Sequence, residues 1–294
     1  MFDLALQILA ILAPAAILAV IGLVWAKANA DFPINFVTNL VTNIGMPALL
    51  FYTLTSGTVE LSALGTMLVA SFVVHLIAIP LAVILLRRAN KDWRLCIAMV
   101  LGNTGNLGLP VCYFAYGDIG LAYGMAFFSF QCVLLFSIGE AVLSGSRSIV
   151  PALKSPILHS LWLAALVNYF GIDLPKVVVD TTELLGQFVI PLMLITLGVS
   201  LAGLKIDRLP STLLWSLIRT LLLFFVGFAV AAMLNLDGVA RGVLILEIAM
   251  PVAVYNFLLA VRHNRDSVEI SGLILVTHLA SIVYLPFVLA YLLA

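Results

Sequence analysis

The sequence predicts an all-α integral membrane protein of ten transmembrane helices, arranged as two inverted five-helix repeats whose fourth and ninth helices are interrupted. Three observations lead there. Of 294 residues 64% are hydrophobic and 10% charged, with mean hydropathy +1.21, far more apolar and far less charged than a soluble average. Prolines recur at matching places in the two halves. Two of the apolar runs are broken by residues that a helix interior tolerates poorly.

About 20 apolar residues span a bilayer, and ten such runs follow one another at roughly 4–26, 36–56, 62–86, 95–116, 120–143, 157–172, 183–203, 210–234, 241–261 and 269–293. The first closes at Lys27, the second follows Pro33, and the third ends at Arg87 and Arg88, with Lys91 and Arg94 beyond. The fourth is interrupted and ends at Tyr116-Gly117; the fifth runs into a connector holding Arg147 and Lys154. Pro156 opens the sixth, the seventh closes before Lys205 and Arg208, and the eighth carries Arg219 inside it. The ninth begins at Arg241, is interrupted near Pro251 and ends before Arg262 and Arg265; the tenth takes the remainder. Only short loops remain, so no soluble catalytic domain fits. The Met-Phe-Asp start lacks the basic region and small-residue cleavage site of a signal peptide, so the first run is expected to stay as a membrane helix.

Ten crossings put both termini on one side. If that side is outside, eleven cationic residues fall in inward loops and two, Lys176 and Arg241, in outward ones. The positive-inside rule then places both the N-terminus and the C-terminus outside. Formal net charge is zero, which leaves nothing for a nucleic acid to hold. Cys96, Cys112 and Cys132 have no metal-like spacing and read as free buried thiols, so neither a metal nor another cofactor is expected.

Pro14, Pro33, Pro47 and Pro110 recur as Pro156, Pro175, Pro191 and Pro251, at offsets of 142, 142, 144 and 141 residues. Neighbours agree at two of these pairs: residues 44–50 against 188–194, and 107–111 against 248–252. The chain therefore divides into a repeat at 1–143, a short connector at 144–156 and a repeat at 157–294. With five crossings each, the halves must sit upside down relative to one another, the inverted-repeat design of secondary transporters. The breaks of the fourth and ninth helices are then symmetry mates and should meet near the midplane.

The first break is Gly102–Pro110, reading Gly-Asn-Thr-Gly-Asn-Leu-Gly-Leu-Pro. Proline removes a backbone donor and each glycine raises the entropic cost of staying helical. Broken backbone is tolerated in lipid only where protein or a wet cavity surrounds it, so the break marks a cavity. A proline kink that only shapes packing is the alternative.

Asn103-Thr104 before Gly108-Leu-Pro110, the following Tyr116-Gly117, the Ala249-Met-Pro251 segment and the closing helix with Leu285-Pro286 together resemble the auxin efflux carrier family over nearly the whole chain. The family includes plant auxin exporters and bacterial permeases assigned to malate, malonate or related carboxylates. The resemblance implies that the fourth and ninth helices cross. It further implies that helices 1, 2, 6 and 7 form a scaffold, helices 3–5 and 8–10 a mobile unit moving by an elevator-type mechanism, and that two chains form a homodimer through the scaffold. Plant members often carry a long segment where this chain has 144–155, which points to a bacterial-type member in the cell's inner membrane.

The candidate substrate-binding residues are Asn103, Thr104, Asn106, Gly108, Pro110, Pro251 and Asn256. An Asn amide holds a carboxylate without a fixed charge, and half-helix N-termini add partial positive charge. Structural roles at the freed backbone are the alternative for each Asn. Glu247 stands four residues before Pro251, as Asn106 stands four before Pro110, and is the candidate for coupling to a proton or a sodium ion, since intramembrane carboxylates are costly and functional by default. The alternative is a protonated Glu bonded to the broken backbone, and plant relatives tend to carry an uncharged amide here. Arg219, about 13 Å from its cytosolic helix end at 1.5 Å per residue, is expected to snorkel to the interface. His75 and His278 read as structural, hydrogen-bonding across the bundle. Together these features predict a secondary transporter for a small organic anion such as an auxin-like or dicarboxylate compound; a sodium-coupled bile-acid-type symporter and a membrane-embedded ligand sensor are the alternatives. No His-Glu-x-x-His or Gly-x-Ser-x-Gly signature suggests an enzyme.

Overall fold

The computed structural model describes residues 2–28, 31–56, 61–144, 154–206, 208–263, 265 and 267–293. Most of the expected connector, 145–153 with Arg147, lies outside the described residues. Among those described the chain is all helical, without a strand. Seven helices are long and apolar enough to cross a membrane: Leu4–Lys27, Ile34–Thr55, Ser62–Arg88, Thr104–Ser144, Lys176–Ala202, Leu209–Met233 and Ser267–Leu293. Pro156–Phe170 is apolar but shorter, and Gly238–Ala249 and Tyr255–Arg262 are short helices either side of a gap.

The first break differs from expectation in where it falls. The helix Cys96–Val100 stops at Leu101, whose ψ of 104° is extended, and winding resumes at Thr104. Pro110 does not end a helix; it lies early in Leu109–Leu134, directly after the π-helical turn Thr104–Gly108, where its fixed φ suits the helix. The interruption is made by Gly102 and Asn103. Further along, Gly117 takes φ 63° and ψ −151° inside the same helix, a conformation open to glycine, and bends the chain where one run was expected to give way to the next.

Packing sorts the helices into two groups. Phe2–Lys27 lies mainly along Val189–Ala202, while Met46–Thr55 packs against Pro156–Phe170 and Lys176–Gln187. In the second group Leu109–Leu134 packs on Gly238–Ala249 and Leu61–Arg88, and Leu209–Met233 packs on Gly238–Ala249, Ser267–Leu293 and Leu61–Arg88. The first pairing is unusually close because glycines face backbone. A Cβ on Gly22 would lie 3.1 Å from Ile195 Cα, and one on Gly198 would lie 2.8 Å from Leu23 N. Small residues let membrane helices approach this way, where dispersion contacts replace a hydrophobic driving force.

A cavity built around two joined helix breaks

The two gaps meet. Asn103 N–H donates to Pro251 O at 2.6 Å and Ala253 N–H to Leu101 O at 3.3 Å, so Gly102 and Val252 form an antiparallel bridge. Gly102 is required at this approach: a Cβ there would stand 2.9 Å from Met250 O. Because an unpaired backbone group in hydrocarbon costs several kcal/mol, the freed groups should find partners, and they do. Asn256 Nδ2 donates to Leu101 O at 3.0 Å, Gln131 Nε2 to Gly102 O at 2.8 Å, Arg219 Nη2 to Met250 O at 2.7 Å, and Tyr284 OH to Ala249 O at 2.7 Å. Val252 N–H donates to Thr277 Oγ1 at 3.0 Å.

Asn103 is held on both sides. Its Nδ2 lies 3.0 Å from His278 Nε2, while His278 Nδ1 lies 2.8 Å from the Ile274 carbonyl. A carbonyl only accepts, so His278 carries its proton on Nδ1 and its Nε2 accepts from the Asn103 amide. That cross-bundle bond is the role expected of His278. It orients the Asn103 amide and leaves the oxygen of that amide to face elsewhere.

One side of the joint opens on a cavity of about 480 Å³, within the size range of small-molecule sites. Gly102, Asn103, Thr104, Gly105 and Asn106 line it from the first break, and Ala253, Val254 and Tyr255 from the second. Both groups include the first turn of a helix, where N–H groups lack intrahelical partners and carry partial positive charge. The facing wall comes from the other packing group: Asn35, Thr38, Asn39 and Thr42 from the second run, Met193, Thr196 and Ser200 from the seventh. Phe128, Phe136 and Phe257 supply aromatic surface. Among the described residues no Asp, Glu, Lys, Arg or His lines the cavity. It reaches Ile157 and Leu204, next to the loops that carry Lys154 and Lys205. Each of the three π-helical turns among the described residues, Val41–Gly45, Thr104–Gly108 and Leu135–Gly139, contributes to the wall; such turns add a residue to a helix and redirect side chains, often at functional sites.

The residues singled out from sequence divide by position. Asn103, Thr104 and Asn106 line the cavity. Pro251 accepts from Asn103 in the joint, and Asn256 braces Leu101; both lie behind the wall. Gly108 and Pro110 lie deeper. Glu247 is fully enclosed, packed against Gly108 and Gly124, with Oε1 3.5 Å from Cys112 Sγ and, among the described residues, no partner at Oε2. Arg219 overturns the snorkelling expectation: its relative exposure is 0%, because the joint offers the Met250 carbonyl as an acceptor nearer than the interface. Sequence reasoning missed Gln131, which also donates to Thr104 Oγ1 at 2.7 Å and ties the break to the fifth run. An amide in an apolar helix was its signal. The polar positions 35, 38, 39 and 42 at helical spacing were the signal for the facing wall.

A family model described as membrane transport protein matches residues 141–289. An uncharacterized transporter of Methanocaldococcus jannaschii is 27% identical over 266 residues, covering 83% of this chain and 84% of that protein. An uncharacterized transporter of Methanothermobacter thermautotrophicus is 28% identical over 261 residues, covering 84% and 85%.

Proposed function

Since the chain belongs to the membrane transport protein family, the auxin efflux carrier family that its motifs resemble, we propose that it is a secondary transporter for a small organic anion, bound in the cavity beside the joined breaks. One observation carries this reading. Two helix N-termini and the amide of Asn103 converge on an enclosure without a charged side chain among the described residues. Unpaired N–H groups and the helix dipole favour a carboxylate there, and an uncharged site can release an anion as well as hold it. Asn103, Thr104 and Asn106 are the proposed ligands. Gly108, Pro110, Pro251 and Asn256 shape and brace the backbone that presents them.

The reading extends to architecture. Ten crossings in two inverted repeats, 1–143 and 157–294, with the fourth and ninth crossing at the joint, fit the proline offsets and the pairing of the gaps. The two packing groups match a scaffold of helices 1, 2, 6 and 7 and a mobile unit of the other six, supporting an elevator-type motion. With both termini outside, the cavity faces the cytosol, since it reaches the loop ends bearing Lys154 and Lys205. A homodimer through the scaffold completes the proposal.

Glu247 is the proposed coupling residue. An enclosed carboxyl with one partnerless oxygen can take up a proton as the unit moves. A sodium-coupled bile-acid-type symporter is less favoured, because the immediate neighbours of the carboxyl are Cys112, Gly108 and Gly124 rather than further oxygen ligands.

Reconstitution into proteoliposomes tests the proposal, with a panel of auxin-like carboxylates, malate, malonate and bile acids. Saturable flux of a carboxylate is the expected result. Binding without flux would make the protein a ligand sensor.

A further inference from the structure

Arg219 is the largest wholly enclosed side chain among the described residues. None of the ion pairs found among those residues includes it. Glu247, the other enclosed charge-bearing group, turns towards Cys112, Gly108 and Gly124. A guanidinium presents five N–H donors in a rigid fork and stays protonated in proteins. Only Nη2 is engaged, by Met250 O; Nε and Nη1 have no partner among the described residues. Capping one carbonyl would need a single neutral donor, so that task alone does not account for an unpaired cation in the membrane, which is expensive to keep.

Its place suggests what the charge does. A Cβ built on Gly102 would stand 3.5 Å from Arg219 Nη2, and Gly102 itself lines the cavity. The guanidinium therefore sits directly behind the Gly102 backbone, which carries no side chain, beside the Met250 carbonyl that it caps. We propose that Arg219 is the specificity-determining residue for charge: a fixed cation behind the Gly102 wall that gives an otherwise uncharged cavity its preference for anions without touching the cargo. Attraction between charges is strong where water is excluded, so a charge set one layer back selects by sign while leaving the bound anion free to depart. The idea rests on the cavity being the transport site, but its test uses no cargo.

The potential in the cavity can be read with charged thiol reagents. In a Cys132→Ala background, which removes the native thiol of the wall, Ser200→Cys places a reporter on the facing wall. The purified full-length protein is treated with methanethiosulfonate ethylsulfonate, an anion, and with methanethiosulfonate ethyltrimethylammonium, a cation, each rate being divided by that for free 2-mercaptoethanol. With Arg219 present the anion-to-cation ratio should exceed one. It should fall roughly three- to tenfold in Arg219→Gln, the range for losing one charge on the far side of a partly wet site, and stay near its starting value in Arg219→Lys. A ratio at or below one with Arg219 in place overturns the proposal even if Arg219→Gln does not fold. An unchanged ratio in a monodisperse Arg219→Gln protein overturns it as well. Failure of carboxylate flux in proteoliposomes would instead count against the transport reading and leave this measurement standing.

Discussion

Replacing Gln131 by leucine removes the amide that ties the first break to the fifth run. Two bonds are lost, to Gly102 O at 2.8 Å and Thr104 Oγ1 at 2.7 Å. Gly102 O is then left without the donor that satisfied it, at a site where Gln131 is itself 5% exposed. A buried group stripped of its partner costs about 1–3 kcal/mol, and the hydroxyl, which can rotate to a new partner, adds about 0.5–1.5. The sum is about 1.5–4.5 kcal/mol. At roughly 2 °C per kcal/mol, the figure for larger domains, Tm in detergent should fall by about 3–9 °C. Differential scanning fluorimetry of the two purified proteins measures it directly. Binding of any carboxylate found in the proteoliposome panel should weaken along with Tm, because Thr104 and Gly102 shape the wall. A Gln131→Leu protein melting within about 1 °C of the parent would show that these bonds do not hold the break, and the account of the joint would fail with them.

Other outcomes follow from the same geometry. Asn103→Ala should abolish carboxylate binding in a protein that still folds; unchanged affinity would remove Asn103 from the ligands. Gly198→Ala should lower stability by about 1–3 kcal/mol or more through overpacking against Ala19 and Leu23, read as a lower Tm, and a neutral effect would mean the two helices separate more easily than their packing implies. Cysteine placed at Asp173 should react with an impermeant reagent from outside and one at Asn90 should not; the reverse pattern would invert the topology. Glu247→Gln should remove dependence of flux on a proton or sodium gradient while sparing binding, and a mutant that keeps the same dependence would exclude Glu247 as the coupling site.

The breaks were legible because glycine, asparagine and proline in a long apolar run have few other physical meanings. Their exact placement was not. Pro110 suggested a stop, yet the same residue starts helices, and only the pairing of Gly102 with Val252 decides between the two uses. Asn103 was legible as a polar residue at a break, but its fixed orientation depends on His278, 175 residues away, and no local pattern encodes that. Arg219 was misjudged for a related reason. Depth along a helix can be counted from sequence, whereas the direction of a long side chain depends on which acceptor is nearer, and the freed Met250 carbonyl exists only because another helix is broken.

The partners that satisfy the broken backbone also bear on how the molecule moves. Arg219, Tyr284, Thr277, Gln131 and Asn256 all belong to the packing group that contains the breaks. His278, which fixes Asn103, belongs to it too. The facing group, from Phe2 to Thr55 and from Pro156 to Ala202, gives the cavity a wall of Asn, Thr, Ser and apolar side chains but none of these joint bonds. Sliding one group along the other would therefore expose no backbone group that the joint now satisfies, and the several kcal/mol attached to each such group would not enter the barrier. A rocking motion that flexed the breaks would have to disturb those bonds directly. The distribution of hydrogen bonds thus favours the proposed elevator motion, in which the joint travels as a rigid piece and the cavity wall behind it is exchanged.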